Sequence, residues 1–322
     1  MMTAQIWIDE TRDMLLSGYV EELLLVGAPA VTNATSTAFT VSEAANSGIV
    51  KGVVIEINEE LMYVTSVDGT TVNVLRGYGG STASSTGHSV DSIVRVSPKF
   101  PAHRIIDAIN HDLRDLSAPN SGLFQMLTTS FTYNAPVDGY SMLKPDGVTP
   151  LTSEEVQSIY SVTYAEVGVE AREPAVSSWK LKRNRDTATF SSGMALILYG
   201  AAWPGKKVTV SYKSPFTAIS DATTPLSDVG LPTTAYDLPP LGAAMALMTT
   251  RPIRREFLDA EGTSRMAEEV PPGAISASFR DLMGRRRARL EAEAARLATM
   301  YPQNLKDNSS SRPVGNWGRY WS

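Results

Sequence analysis

The sequence predicts an α+β fold: a helical bundle body with a small β-module inserted early, a larger antiparallel β-sandwich insertion and an extended C-terminal tail. Three observations carry that reading. Apolar and polar residues alternate at period two through 38–96 and again through 124–212. Apolar residues recur at three- and four-residue spacing in the segments before, between and after those regions. Glycine (23) and proline (19) punctuate the alternating regions at short intervals, as strand-connecting turns require. Residues 1–30, 99–123 and 216–302 are assigned to the helical body, 31–98 to the β-module, 124–215 to the sandwich insertion and 303–322 to the tail. Helices separated by insertions can close into one body when each insertion has adjacent ends.

Residues 9–25 read as the first helix, capped by Asp9 or Thr11, with Met14, Leu15, Tyr19, Glu22 and Leu23 at helical spacing. Leu23 to Val26 equally suits the start of a strand. The Ala-, Thr- and Asn-rich stretch 28–36 is a loop. Strands are expected at 39–41, 50–57, 62–67, 71–75 and 93–96, with Asp68-Gly69 supplying the positive φ angles of a tight hairpin. In the 50–57 strand Val54, Glu56 and Asn58 share one face, and Ile55 and Ile57 the other. Residues 100–116 form the clearest amphipathic helix. Its stripe is Ile105, Ile106, Ile109, Leu113 and Leu116, while Arg104, Asp107, Asp112 and Asp115 are expected to face water. Pro101 fits its first turn.

Further strands are expected at 126–133, 156–164, 179–182, 188–190, 194–199 and 207–212, with 138–153 as an extended loop. Four prolines make 221–240 irregular. Residues 241–250 favour a helix that Pro252 ends or kinks, 253–267 continue as a second helix, and 274–301 form the longest one. The tail is too poor in apolar residues to fold alone, yet its end holds Trp317, Tyr320 and Trp321.

Composition sets bounds on function. The 322 residues suffice for two or three domains and a sizeable core. A net charge of −5 advertises no nucleic-acid binding; it suits a conduit through which DNA slides without sticking, and equally any cytosolic protein. The absence of cysteine removes disulfides, thiolate metal sites and thiol nucleophiles together, and fits assembly in a reducing cytoplasm. No signal peptide is visible at the N-terminus, and the longest apolar runs fall far short of the roughly 20 residues of a membrane span.

The stretch 54–83 combines an acidic strand, a Met-Tyr-Val strand, a Val-Asn-Val strand and the turn Arg76-Gly77-Tyr78. It resembles a module of structural proteins from the head-to-tail junction of tailed bacteriophages. Two other stretches extend the likeness: 105–116, with Ala108-Ile109-Asn110 and Asp115-Leu116, and 221–231 followed by 239–247. Together they resemble the head-to-tail adaptor (connector) family of long-tailed phages. The resemblance implies a structural virion protein in the neck, assembled in the host cytoplasm, with no catalytic activity, cofactor, metal or membrane partner. It further implies a ring, a dodecamer in this family, bound to the portal above and to the next neck or tail protein below. DNA would pass through its channel without sequence-specific contact. Head-closure and tail-proximal neck proteins share these pieces. A carbohydrate- or receptor-binding β-protein, with Tyr78, Trp179 and Trp203 as its platform, or a tail-associated glycosidase, is the alternative from another class.

Candidate sites follow. The resemblance makes Trp317, Arg319, Tyr320 and Trp321 a portal anchor, since aromatics give large contact area at low entropic cost. The run Arg285, Arg286, Arg287 and Arg289, followed by Glu291 and Glu293, suits inter-subunit pairing, a salt-bridged face or phosphate contact. It also opposes the helix dipole. Apolar faces on 105–116 and 279–301 are expected to close the ring. His103 and His111 lie eight residues apart, beyond the one-turn pair that clasps a metal, and all three histidines read as surface or capping residues. No serine sits in a nucleophile elbow, and no phosphate-binding Gly-rich loop is present. Glu59 and Glu60, adjacent on a strand, point to opposite faces and cannot act as a glycosidase pair, while Glu154 and Glu155 read as an exposed turn or a helix start.

Overall fold

Six short antiparallel strands, rather than a helical bundle, organise the first part of this molecule. The computed structural model describes residues 2–16, 21, 23–28, 30, 33, 35–41, 48–134, 137, 139–165, 173–176, 178–199, 205–250 and 274–302. The chain divides into two units, Met1–Asp115 with Thr217–Glu291, and Leu116–Phe216 with Ala292–Ser322.

In the first unit the strands are β1 (Leu23–Leu25), β2 (Ala38–Thr40), β3 (Val54–Ile57), β4 (Glu60–Asp68), β5 (Thr71–Leu75) and β6 (Ile93–Val96). They form one sheet in the order β1-β6-β3-β4-β5-β2. The sheet curls until its edges meet: Val26 bridges Val41, and the Gly27 amide donates to the Thr40 carbonyl at 2.7 Å. Closure satisfies the edge amides that an open sheet would leave unpaired. One residue in two turns inward, so Phe39, Ile55, Ile57, Met62, Val64, Val72, Val74 and Val94 fill the interior. The β4–β5 hairpin turns at Gly69, whose φ of 57° is the left-handed conformation expected of Asp68-Gly69.

The expected helical body is the main correction. The described residues hold five α-helices: α1 (Gln5–Leu16), α2 (Ala102–Leu116), α3 (Leu226–Val229), α4 (Leu238–Thr250) and α5 (Ala274–Met300). Strands outnumber them, and α3 is a single turn. The first helix is displaced towards the N-terminus because Leu23–Leu25 pairs with β6 instead of extending it. Helical spacing shows that one face is buried but does not say against what. Here the α2 stripe is already spent inside the chain, with Ile105, Ile109, Leu113 and Leu116 fully buried. It is therefore not a surface waiting for a neighbouring subunit. The helix expected at 253–267 and the tail at 303–322 lie outside the described residues.

The second unit holds two three-stranded antiparallel sheets. One runs β7-β12-β9, with β7 (Gln125–Thr132), β9 (Ser158–Tyr164) and β12 (Lys207–Ser214); the other runs β10-β11-β8, with β8 (Tyr140–Ser141), β10 (Trp179–Lys182) and β11 (Ala195–Leu198). Both contribute to one core of Met142, Val156, Ile159, Val162, Met194, Leu196, Val208, Val210 and Tyr212. Residues 188–190, expected as a strand, form a turn. The Asp186 carboxylate accepts the Ala188 amide at 3.1 Å and the Thr189 hydroxyl at 3.2 Å, a local alternative to ladder pairing. Conversely, β8 lies where only loop was expected.

Candidate functional site

The Arg76-Gly77-Tyr78 turn leaves β5 and is held by a carboxylate from the start of β4. Glu60 is buried and accepts from Arg76 Nε (2.5 Å), Arg76 Nη2 (2.6 Å), the Gly77 amide (3.1 Å) and the Ser84 amide (2.9 Å). His88 Nε2 lies 2.9 Å from it, and Asn58 Nδ2 donates to His88 Nδ1 at 3.1 Å. An ionised carboxylate can only accept, so Nε2 carries the proton given to Glu60. His88 is thus a buried structural residue, against its reading as a surface one. Burial pushes the Glu60 carboxyl up, but hydrogen bonds from His88, Arg76, Ser84 and Gly77 outweigh it and bring it down to about 2. Arg76 Nη1 spends its remaining donors on the carbonyls of Asn33 (2.7 Å) and Ser36 (3.2 Å). Gly77 and Gly79 adopt φ of 61° and 64°, and a Cβ on Gly77 would also crowd the Ser81 carbonyl. With its acceptor sites filled, Glu60 holds the turn and is not available to react. What the turn presents outward is Tyr78, 40% exposed, tilted against Tyr63 at 5.3 Å between ring centroids.

Side-chain contacts link residues 54–83, 102–115 and 217–231 within this unit. Asn110 of α2 clasps residue 219 in both directions, Nδ2 to the Ile219 carbonyl at 2.9 Å and the Ile219 amide to Oδ1 at 2.8 Å. Glu59, next to the buried Glu60, accepts the Ala222 amide at 2.8 Å. The two glutamates therefore serve different contacts.

A cleft of about 340 Å³ opens between α2, α4 and α5, lined by His111, Asp112, Asp115, Gly242, Met245, Phe279 and Arg286. Asp112, expected to face water, is buried. Arg286 Nη2 donates to Asp112 Oδ1 at 2.6 Å and to Asp115 Oδ2 at 2.9 Å. Asp112 Oδ2 and Arg286 Nε have no partner. Burial drives the Asp112 carboxyl up to about 7; Arg286 opposes that shift and the Asp115 charge adds to it. Gly242 makes the arrangement possible. A Cβ there would lie 1.8 Å from Asp112 Oδ1, so Gly242→Ala is expected to cost about 1–3 kcal/mol in urea unfolding, and Asp112→Ala in the same chain should recover part of it.

The remaining arginines of the basic run also find partners within the chain. Arg289 bonds Asp237 at 2.7 Å and the Thr234 carbonyl, while Arg285 with Asp281 and Arg287 with Glu291 form exposed one-turn pairs at 2.8 Å. Glu293 is mostly buried and accepts from Arg296 at 2.7 Å. These partners explain the charge order that the helix dipole disfavours. His103 has both ring nitrogens buried without a partner, and burial lowers its pKa. Trp317, Arg319, Tyr320, Trp321 and Trp203 lie outside the described residues. Among the described residues no three acidic or histidine side chains converge as a metal site, and no helix is long and apolar enough to cross a membrane. Comparison of the sequence with protein-family models and with curated proteins gives no match.

Proposed function

We propose that this protein is a head-to-tail adaptor of a long-tailed phage, a structural virion component that closes into a ring of about twelve copies beneath the portal. The ring surrounds the DNA channel and joins the capsid to the next neck protein. The observation that carries the reading is the Arg76-Gly77-Tyr78 turn, rigidly seated on a closed β-module by the saturated Glu60 and offering the Tyr63–Tyr78 pair outward. A rigid aromatic pair loses little entropy when it is covered by a partner. The likeness of 105–116 and 221–231 to the same family supports it, and Asn110 of the first clasps Ile219, two residues before the second.

The buried α2 stripe moves the ring contact elsewhere. The exposed pairs Arg285–Asp281 and Arg287–Glu291 on α5 are placed for exchange with a neighbour's charges, because exposed one-turn pairs are individually weak. Such a contact is heterologous, one patch meeting a different patch on the next copy. Trp317, Arg319, Tyr320 and Trp321 are assigned to the portal. Electron-microscopy class averages of the protein alone and mixed with its portal test the proposal. A closed ring docked on the portal is expected, and removing residues 304–322 should abolish docking while leaving the ring. Monomers that ignore the portal would overturn it.

A further inference from the structure

We propose that Asp112 is a proton-linked latch on the packing of α4 and α5 against α2: the three helices stay closed while its carboxyl is neutral and loosen when it ionises. Four geometric facts carry this. Asp112 is buried at the contact. Gly242 presses its backbone so closely on the carboxylate that a methyl group would not fit. Oδ2 has no donor among the described residues. Among the described residues one guanidinium faces it, and it is divided, Nη2 reaching both Asp112 and Asp115 while Nε has no acceptor there.

The charged and titratable groups around it are few among the described residues. Arg286 comes from α5, His111 and Asp115 from α2 itself, and the described α4 residues lining the cleft, Gly242, Met245 and Ala246, carry no charge. One shared arginine therefore stands against the loss of a carboxylate's hydration, and the unpaired oxygen recovers that hydration only when the helices part.

The sign follows from linkage. Burial raises the closed-state pKa to about 7 from an ordinary 3.8. The closed form holds a proton that the open form gives up between those values, so closure is fully favoured below about 4, weakens as pH rises, and reaches its floor above about 7. The opening constant should rise about tenfold per pH unit inside that window.

Hydrogen exchange of the backbone amides of residues 279–291, corrected for intrinsic rates and read at pH 5, 6, 7 and 8, tests the latch. Protection in the unmodified protein is expected to fall about fiftyfold between pH 5 and 7 and to level off by pH 8. In Asp112→Asn it should stay flat across the range, about tenfold above the pH 5 value of the unmodified protein, whereas Asp115→Asn and His111→Gln should keep a pH-dependent fall. Flat protection in the unmodified protein, or an undiminished fall in Asp112→Asn, overturns the latch. Carboxyl-carbon resonance titration of the unmodified protein gives a second readout: an Asp112 midpoint near neutral supports the latch, and one below pH 5 overturns it.

Discussion

Glu60→Ala is expected to cost about 3–5 kcal/mol, enough to consume much of a typical domain's stability. The change strands the Arg76 guanidinium, whose side chain is 5% exposed, and removes the acceptor of the Gly77 and Ser84 amides. Arg76→Ala should cost a similar amount, because it leaves a buried carboxylate with only His88 and two amides. The double replacement should cost clearly less than the two single costs combined, since each single change already breaks the shared network. Acid should weaken the same network. The Glu60 carboxyl is lowered from 4.5 to about 2, so its contribution is fully present above about 4.5 and is lost as pH falls towards 2. That shift corresponds to about 3 kcal/mol. Urea unfolding at pH 7 and at pH 2.5 measures both effects. Single replacements that cost less than about 0.5 kcal/mol at pH 7, the range of ordinary surface changes, would show that the turn is not held in this way.

What the sequence disclosed follows the range of the interaction responsible. Strands β6 and β10, the Asp68-Gly69 hairpin and the α2 stripe are local patterns, and all appear where alternation, turn chemistry and helical spacing place them. Leu23–Leu25 is apolar on every residue, so periodicity cannot assign it, and pairing with β6 decides. The turn at 186–190 is a contest between one aspartate and a ladder, which composition does not score. The sites are less legible still. Glu60 meets Arg76 across 16 residues, and Asp112 meets Arg286 across 174. Each aspartate on α2 looks solvated from its own helix, and only the arrival of Gly242 and Arg286 separates the buried Asp112 from the exposed Asp115. The cue that existed was Gly242 itself, a helix-weakening residue inside a helix-favouring run, where close approach by another group is the usual reason. The helical body failed for the same reason: each helix declares that it buries a face, and the partner of that face is a tertiary fact.

Arg12→Met is expected to be the most damaging single change at the junction of α1, the barrel and α2. Arg12 Nη2 donates to both oxygens of Glu56, at 2.7 and 3.0 Å, and Nε reaches the Phe100 carbonyl at 3.3 Å. Glu56 Oε1 also accepts the Ala102 amide at 2.7 Å, so one carboxylate from β3 joins α1 to the first turn of α2. Alternation placed Glu56 on the barrel's outer face, and the helices bury that face, leaving its side chain 1% exposed. Removing the arginine leaves a buried charge with one amide for company, at a cost of about 3–5 kcal/mol. Neutralising the survivor should undo most of that. Glu56→Gln keeps an acceptor for the Ala102 amide, worth about 1 kcal/mol at a helix start, and removes the charge. Arg12→Met with Glu56→Gln should therefore be more stable than Arg12→Met alone, and its unfolding midpoint in urea should lie closer to that of the unmodified protein. A double variant no better than the single one would mean that Arg12 acts through packing of its apolar stem against α1 and the barrel, and that the charge it neutralises matters little.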